Sequence, residues 1–453
     1  MRNYGGLVHA VGEFARHRGG NFAILFGFAA LVLALAAGFS VNLSQLYNAR
    51  SSLQGVVDAA VTSTARDLTT GAIKETDANK SVKAFLDAND TAGILKAGQV
   101  VLDRVIVDKT AKTVQVDAHV DVALFFPIFG MGDTKRVTAS TTSLYSDKTI
   151  EVAMMLDVTG SMAGQKIKDL KAAAANAVDS FLASQDPNKP RVRVSIVPYA
   201  NSVNAGQLAA SSVYVEANAS ERKQAPGNAS AQLASASPRP DNCATERKGA
   251  DQYSDAGPHS SMVNRDYLLP GFATNTRTAA CPVAALVPLT ADAATLKNVI
   301  RDLVASGGTA GHIGVQWTWY MLSESWGGVL DASQRPAKAD PKKVGKYAIL
   351  MTDGEFNLSY FDATGVDGVY NDAGKETTRT AATTLCAAMR DKRIEIFTIG
   401  FKLDETNAVT TLQNCASPDT GSVKHFYQAA DGIELDTAFQ TIARNIETLA
   451  LTK

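Results

Sequence analysis

The chain has 453 residues, 45% hydrophobic and 20% charged, a make-up that excludes a disordered chain and a length that implies two or three folded units rather than one core. Its 44 basic residues stand against 45 acidic ones, a formal charge of -1. With no lysine- or arginine-rich block, nothing draws the molecule as a whole to nucleic acid.

Residues 1–20 form a basic segment in which Arg2, Arg16 and Arg18 face one acid, Glu13. No charge then occurs from Gly19 to Ala49, and Phe22 to Val41 reads FAILFGFAALVLALAAGFSV, roughly the 20 apolar residues a helix needs to cross a bilayer. A transmembrane helix over 21–43 is predicted. The positive-inside rule then leaves the N-terminus in the cytoplasm and places everything after residue 50 outside. A signal peptide cleaved near Ala34-Leu35-Ala36 is the competing reading, but the apolar run continues past that site.

Leu46, Leu53, Val57, Ala60 and Val61 recur at helical spacing with no proline, which extends the span into a continuous rod. VVLDRVIVD, TVQVDAHVDVALFF and RVTASTTSLY then alternate apolar and polar residues, with a turn expected at Gly130, Gly132 and Asp133. Residues 44–147 therefore read as a helix plus a small antiparallel sheet, pilin-like in outline.

From 148 to 450 strand and helix patterns alternate. TIEVAMMLD, RVRVSIVPYA, KYAILMTDG and IEIFTIGF are buried-strand candidates, with helices expected at 291–305, 311–324, 376–391, 404–414 and 433–449. The alternation predicts an α/β domain with a parallel sheet between helices. A stretch rich in Ala, Ser, Asn and Pro over about 202–285 interrupts the pattern and reads as a long surface excursion. Cys243, Cys281, Cys386 and Cys415 all follow the span; in an oxidising compartment they fit two disulfides, for which three connectivities exist. A Cys243–Cys281 bridge would tie down the excursion. Zinc is the alternative use, without a C-x-x-C pair or close histidine to support it. The N-x-S sequences at Asn42, Asn218, Asn228 and Asn357 are read as chance occurrences.

Ligands of open parallel sheets bind beyond the carboxyl ends of the strands. Asp157, Thr159 and Ser161 leave the end of the first α/β strand, Asp353 leaves the end of KYAILMTDG, and Thr309 sits in the glycine-rich turn SGGTAGHIG. Carboxylate and hydroxyl oxygens suit a hard cation such as Mg2+, and an ion with few protein carboxylates can accept another from a partner. The motifs D-V-T-G-S-M, G-G-T and M-T-D-G-E, in that order, resemble the metal-ion-dependent adhesion site of the von Willebrand factor A domain family. The resemblance covers residues 148–450 and implies a Rossmann-like α/β fold. It also implies Asp157, Thr159, Ser161, Thr309 and Asp353 as metal ligands, with Mg2+ as the ion and Mn2+ or Ca2+ acceptable. Thr159 stands where many members have serine and keeps the hydroxyl.

At the N-terminus the basic RGG, the apolar helix and LYNARSSLQGVVDAA resemble TadE/TadG-type proteins of the tight-adherence (Flp) pilus system. GGTAGHIGVQWTWYMLSESW, LMTDGEFN and the Cys386 to Cys415 spacing resemble TadG-like members with a fused A domain. Where TadE-like pseudopilins carry a glutamate early in the apolar helix, this chain reads NFAILFGF after Gly20. The resemblances imply a single-pass bacterial inner-membrane protein with its bulk in the periplasm. It would bind a carboxylate-bearing protein partner, a pilus-assembly component, through the metal and without catalysis. Replacing Asp157 with alanine is expected to weaken that binding while leaving the fold largely intact.

A surface adhesin using the same site on a host or matrix ligand is one alternative, and a metal-assisted hydrolase another. Against hydrolysis, an aspartyl-phosphate enzyme needs a second acid where Thr159 stands, and Ser161 lacks a G-x-S-x-G elbow. SGGTAGH lacks the G-K-[ST] of a phosphate loop. His312 is expected to make a local hydrogen bond at a helix start, Glu355 to be a solvent-facing loop acid, and Trp317, Trp319 and Tyr320 to pack in the core.

Overall fold

The computed structural model describes residues 19–90, 99–127, 132–146, 148–183, 185, 189–215, 228–235, 241–265, 281–340, 342–360, 372–421 and 423–452. Arg2, Arg16, Arg18, Gly130 and Asn218 lie outside the described residues. Two compact units divide the chain, one running through Leu68 and including Ile73–Tyr145, the other formed by Thr69–Ala72 and Ser146 onward.

The first unit is organised by α1, Gly19–Thr70, whose 52 residues span about 78 Å at 1.5 Å per residue. Its early part is long and apolar enough to cross a membrane. There Ile24, Leu25, Phe26, Phe28, Leu31 and Leu33 are 55–72% exposed, an apolar surface that the protein does not cover. Further along, Leu53, Val57, Ala60, Val61, Ala65 and Leu68 are buried at spacings of three and four, so this part has one core-facing stripe. Strands β1 (Val101–Asp108), β2 (Thr113–Ala123) and β3 (Thr134–Leu144) form an antiparallel sheet in that order. In β2 every second residue from Val114 to Val122 is fully buried, which gives the sheet one core face. Gln54 Nε2 donates to Thr141 Oγ1 (2.7 Å), joining the helix to β3. α2, Ala78–Asp90, adds Ala78, Val82 and Leu86 to the buried set.

The second unit is an α/β sandwich. Its strands and main helices run β4 (Thr149–Asp157), α3 (Gln165–Leu182), β5 (Val192–Tyr199), β6 (Val203–Asn204), β7 (Val213–Val215), β8 (Cys243–Ala244), β9 (Val263–Arg265), β10 (Val287–Thr290), α4 (Ala293–Arg301) and α5 (Gly311–Tyr320), and then β11 (Val344–Thr352), α6 (Asp372–Asp391), β12 (Ile394–Phe401), α7 (Thr406–Cys415), β13 (Phe426–Ala429) and α8 (Gly432–Thr452). The sheet order is β13-β12-β11-β4-β5-β6-β8, with β10 also paired to β5. β13, β12, β11, β4 and β5 are parallel, as the buried-strand patterns predict. β6, β8 and β10 pair antiparallel, so the sheet is mixed. The reason at β6 is length: three residues after β5 allow a tight return but not the crossover that a parallel strand needs.

Residues alternate along the inner strands between two cores. Val152, Met154 and Leu156 of β4 face a core with α3, α4 and α8, while Ala153 and Met155 face one with α5 and α6. Trp317, Trp319 and Tyr320 are buried in the second core, as core packing requires.

Among its described residues, the stretch read as a surface excursion is in good part internal. β6 and β8 extend the main sheet, β7 and β9 pair in parallel as a separate ribbon, and Glu246, Arg247 and Arg265 are buried. Partners make this tolerable. Arg247 donates to the carbonyls of Ala256 and Ser261, both at 2.7 Å, and its guanidinium lies over Tyr320; Arg265 pairs with Asp241 at 3.0 Å. Polar composition at 241–265 thus signals a buried polar network rather than exposure. The cysteines pair as Cys243–Cys281 and Cys386–Cys415, the first tying β8 to the segment before β10 and the second tying α6 to α7.

Candidate functional site

β4 ends at Asp157, β11 ends one residue before Asp353, and the turn before α5 lies between them in sequence, so three loops leave the carboxyl edge of the sheet together. Backbone bonds join the first two loops: Gly160 N donates to Gly307 O and Ser306 N to Val158 O, both at 2.8 Å. Gly307 sits at φ +86, and a Cβ there would lie 2.3 Å from Asn201 Oδ1, so this close approach needs glycine. Asn357 closes the third side: its Oδ1 accepts from Thr309 N and its own N donates to Thr309 O, each at 2.9 Å.

Within this frame four of the five expected ligands form one hydrogen-bonded chain. Asp157 Oδ1 accepts from Thr159 N (2.8 Å) and Thr159 Oγ1 (2.6 Å). Thr159 Oγ1 lies 3.0 Å from Ser161 Oγ, which donates to Asp353 Oδ1 (2.6 Å). Thr309 is buried in the adjoining loop and is held there through its backbone. The other Asp157 oxygen, Oδ2, accepts from Tyr199 Oη (2.9 Å) and Thr352 Oγ1 (2.7 Å). Asp353 Oδ2 takes the Lys166 ammonium at 2.7 Å.

Full burial, and then the Asp353 carboxylate nearby, push the Asp157 pKa from 3.8 up to about 6, against the pull of its hydrogen bonds from Thr159 and Thr352. Burial also raises the Tyr199 phenol well above its usual range, so it stays a donor to Asp157.

The donor set fits a small hard cation. Oxygens sharing an octahedral ion at ~2.1 Å lie about 3.0 Å apart, so the Thr159–Ser161 spacing already has the required scale. Both carboxylates are buried, and a cation near them would relieve the repulsion that Lys166 meets at Asp353 alone. A second group, Asp241 with Cys243 and Cys281, gathers ligand-type atoms within 4.8 Å, but both its sulfurs are committed to the disulfide, which answers the zinc alternative there.

Sequence reasoning missed Tyr199, Thr352, Lys166 and Asn201, and met Asn357 only as an N-x-S sequence. Thr352 had one signal, its place beside Asp353 at a strand end; the others are distant in sequence and meet only through the fold. Two further residues differ from expectation. His312 bonds across the core, Nδ1 to Thr378 Oγ1 (2.6 Å) and Nε2 to Glu246 Oε1 (2.7 Å), so its contacts are not local. Glu355 is held by Arg379 and by Lys375 (3.3 Å) on the α6 side rather than facing free solvent.

The sheet, its flanking helices and the three-loop edge make the second unit an α/β domain whose candidate site lies at the carboxyl edge of a mixed sheet. The N-terminal segment is TadE/G-like: residues 20–67 match the family model described as "Putative Flp pilus-assembly TadE/G-like". No curated protein matches the chain. Among solved structures it is similar to the vWF domain of the type V pili tip protein Mfa5 from Porphyromonas gingivalis, at 15% identity over 67% of this chain and 96% of that one, with a TM-score of 0.37. The PilB minor pilin from Streptococcus sanguinis, in a mutant form, aligns at 10% identity over 78% and 80% of the two chains with a TM-score of 0.38. Proximal thread matrix protein 1 from the mussel byssus, with a zinc-occupied MIDAS motif, aligns at 12% over 67% and 46%, TM-score 0.30. Likenesses this distant bear on neither ligand nor partner.

Proposed function

We propose that this chain is a membrane-anchored, metal-dependent protein-binding module that acts in assembling or anchoring a tight-adherence pilus. α1 anchors it in the bacterial inner membrane with the N-terminus cytoplasmic, residues 44–147 form a TadE/G-like domain, and residues 148–450 form the binding domain on the periplasmic side. The observation that carries the binding reading is the chain Asp157–Thr159–Ser161–Asp353, which gathers two carboxylates and two hydroxyls at one edge of the sheet. Thr159, Ser161, Thr309, Asp157 and Asp353 would hold Mg2+, and Mn2+ or Ca2+ meet the same oxygen chemistry. When bound, the ion supplies an electron-poor centre for a carboxylate from a partner protein. The chain's own residues set the approach: Tyr199 and Thr352 fix the Asp157 carboxylate, and Asn357 and Gly307 fix the turn carrying Thr309. Hydrolysis has less support, because His312, the histidine nearest the motifs in sequence, is spent on Thr378 and Glu246.

The test is thermal unfolding of the full chain in detergent, with millimolar Mg2+ and then with chelator. Binding to the folded state alone stabilises by RT ln(1 + [L]/Kd), about 2.7 kcal/mol at a hundredfold excess over Kd. Wild type should gain a Mg2+-dependent rise in Tm that Ser161→Ala loses in large part. No rise in wild type would sink the metal reading.

A further inference from the structure

The apolar run Phe22 to Val41 makes about 30 Å of helix at 1.5 Å per residue, the thickness of a bilayer's hydrocarbon core. Asn42 is the next residue, and although it lies on a largely exposed stretch it is only 1% exposed. Its carboxamide is spent on one backbone unit: Nδ2 donates to Phe126 O (2.5 Å) and Oδ1 accepts from Phe126 N (3.1 Å). Gln45, just under a turn on, donates to Ala123 O (2.7 Å) and accepts from Phe125 N (3.4 Å). The chain leaving β2 is therefore clamped to α1 at the height where the apolar run ends. Its backbone groups find partners in side chains of the helix, which is what backbone needs where water is scarce.

The side chains in that clamp point the other way in polarity. Phe125 is 71% exposed and Phe126 45%, while the helix residues flanking the clamp, Phe39, Val41, Leu43 and Tyr47, are exposed as well, at 42–74%. The first charged residue of α1 is Arg50, about two turns beyond Asn42. Satisfied backbone under outward aromatic side chains, continuous with the exposed apolar helix, suits the boundary between headgroups and acyl chains.

We propose that the segment following β2, Leu124 to Pro127, is a second membrane contact, with Phe125 and Phe126 entering the outer boundary of the bilayer that α1 spans. This rests on the reading of α1 as a membrane anchor. The lipid surface is the occupant, and the contact holds the small sheet at a fixed height above the membrane.

The experiment uses the full chain in phosphatidylcholine vesicles, with Phe125→Trp, Phe126→Trp and, as a depth control, Leu33→Trp. The native tryptophans, Trp317, Trp319 and Trp326, are buried and give a constant background. The emission added by Phe125→Trp should be blue-shifted and largely lost when the lipids carry bromine near the glycerol end of the chain, whereas Leu33→Trp should respond more to bromine deeper in the tail. Phe126→Trp repeats the reading at the less exposed neighbour. Added emission at the wavelength of water-exposed tryptophan, unquenched while Leu33→Trp is quenched, would overturn the contact and leave the anchor intact. Blue-shifted but unquenched emission would mean that protein covers the aromatics, which also overturns it. Failure to quench Leu33→Trp would remove the anchor reading and the contact with it.

Discussion

Each oxygen of Asp157 accepts from two donors, so this residue holds the loop frame together as well as offering charge to a cation. Asp157→Ala would leave the buried Tyr199 hydroxyl without its acceptor, at about 1–3 kcal/mol. That cost would accompany any loss of binding in the Asp157 variant, so Ser161→Ala is the cleaner probe. Lys166 tests the same idea from the other side. Its ammonium neutralises the buried Asp353 carboxylate where a bound cation would also act, so Lys166→Met should destabilise the chelated protein by about 2 kcal/mol and enlarge the Mg2+-induced rise in Tm. An unchanged rise would show that Lys166 and the ion do not compete. The pH dependence follows from the raised Asp157 pKa. Between about 3.8 and 6 the folded, metal-free protein holds a proton there that the unfolded chain has released, so its stability falls as pH rises through that window. Mg2+ needs the ionised form, and its stabilising effect should be small near pH 5 and full near pH 7. Thermal unfolding at both, with and without the ion, checks it; equal shifts would remove Asp157 from the site.

At the scale of elements, α6 and α7 are tied by Cys386–Cys415, which are 29 residues apart in sequence. Closing a loop of that length restricts the unfolded chain by roughly 3.6 kcal/mol. Replacing both cysteines with alanine should lower the urea midpoint accordingly, with the slope of the transition showing whether the unfolded state expanded. The Mg2+ response should survive, because the bridge joins α6 to α7 and includes none of the candidate ligands. The alternation of Val152, Met154 and Leu156 against Ala153 and Met155 explains why these elements were legible beforehand: a strand buried on both faces reads as a continuous apolar run. β6 and β8, two residues each, carry no such period, and their place at the sheet edge depends on pairing with β5 and with each other.

For the whole molecule, the exposed apolar stretch of α1 and the TadE/G-like match over residues 20–67 meet in the same helix. The full chain is expected to stay in the membrane pellet after alkaline carbonate extraction, and protease added to spheroplasts should degrade the part beyond residue 44. Release by carbonate would favour a cleaved or peripheral form.

The long apolar helix, the inner strands and the grouping of Asp157, Thr159, Ser161 and Asp353 at one sheet edge were readable from the sequence because each depends on local order: an uncharged apolar run, a strand period, and short motifs at strand ends. The sequence left the cysteine connectivity open among three pairings and read 202–285 as surface. Only the tertiary structure decided that Glu246, Arg247 and Arg265 are buried, that Lys166 rests on Asp353, and that Asn357 and Tyr199 hold the site's frame. Those contacts join residues far apart in the chain, and a polar side chain's burial depends on which partner the fold brings to it.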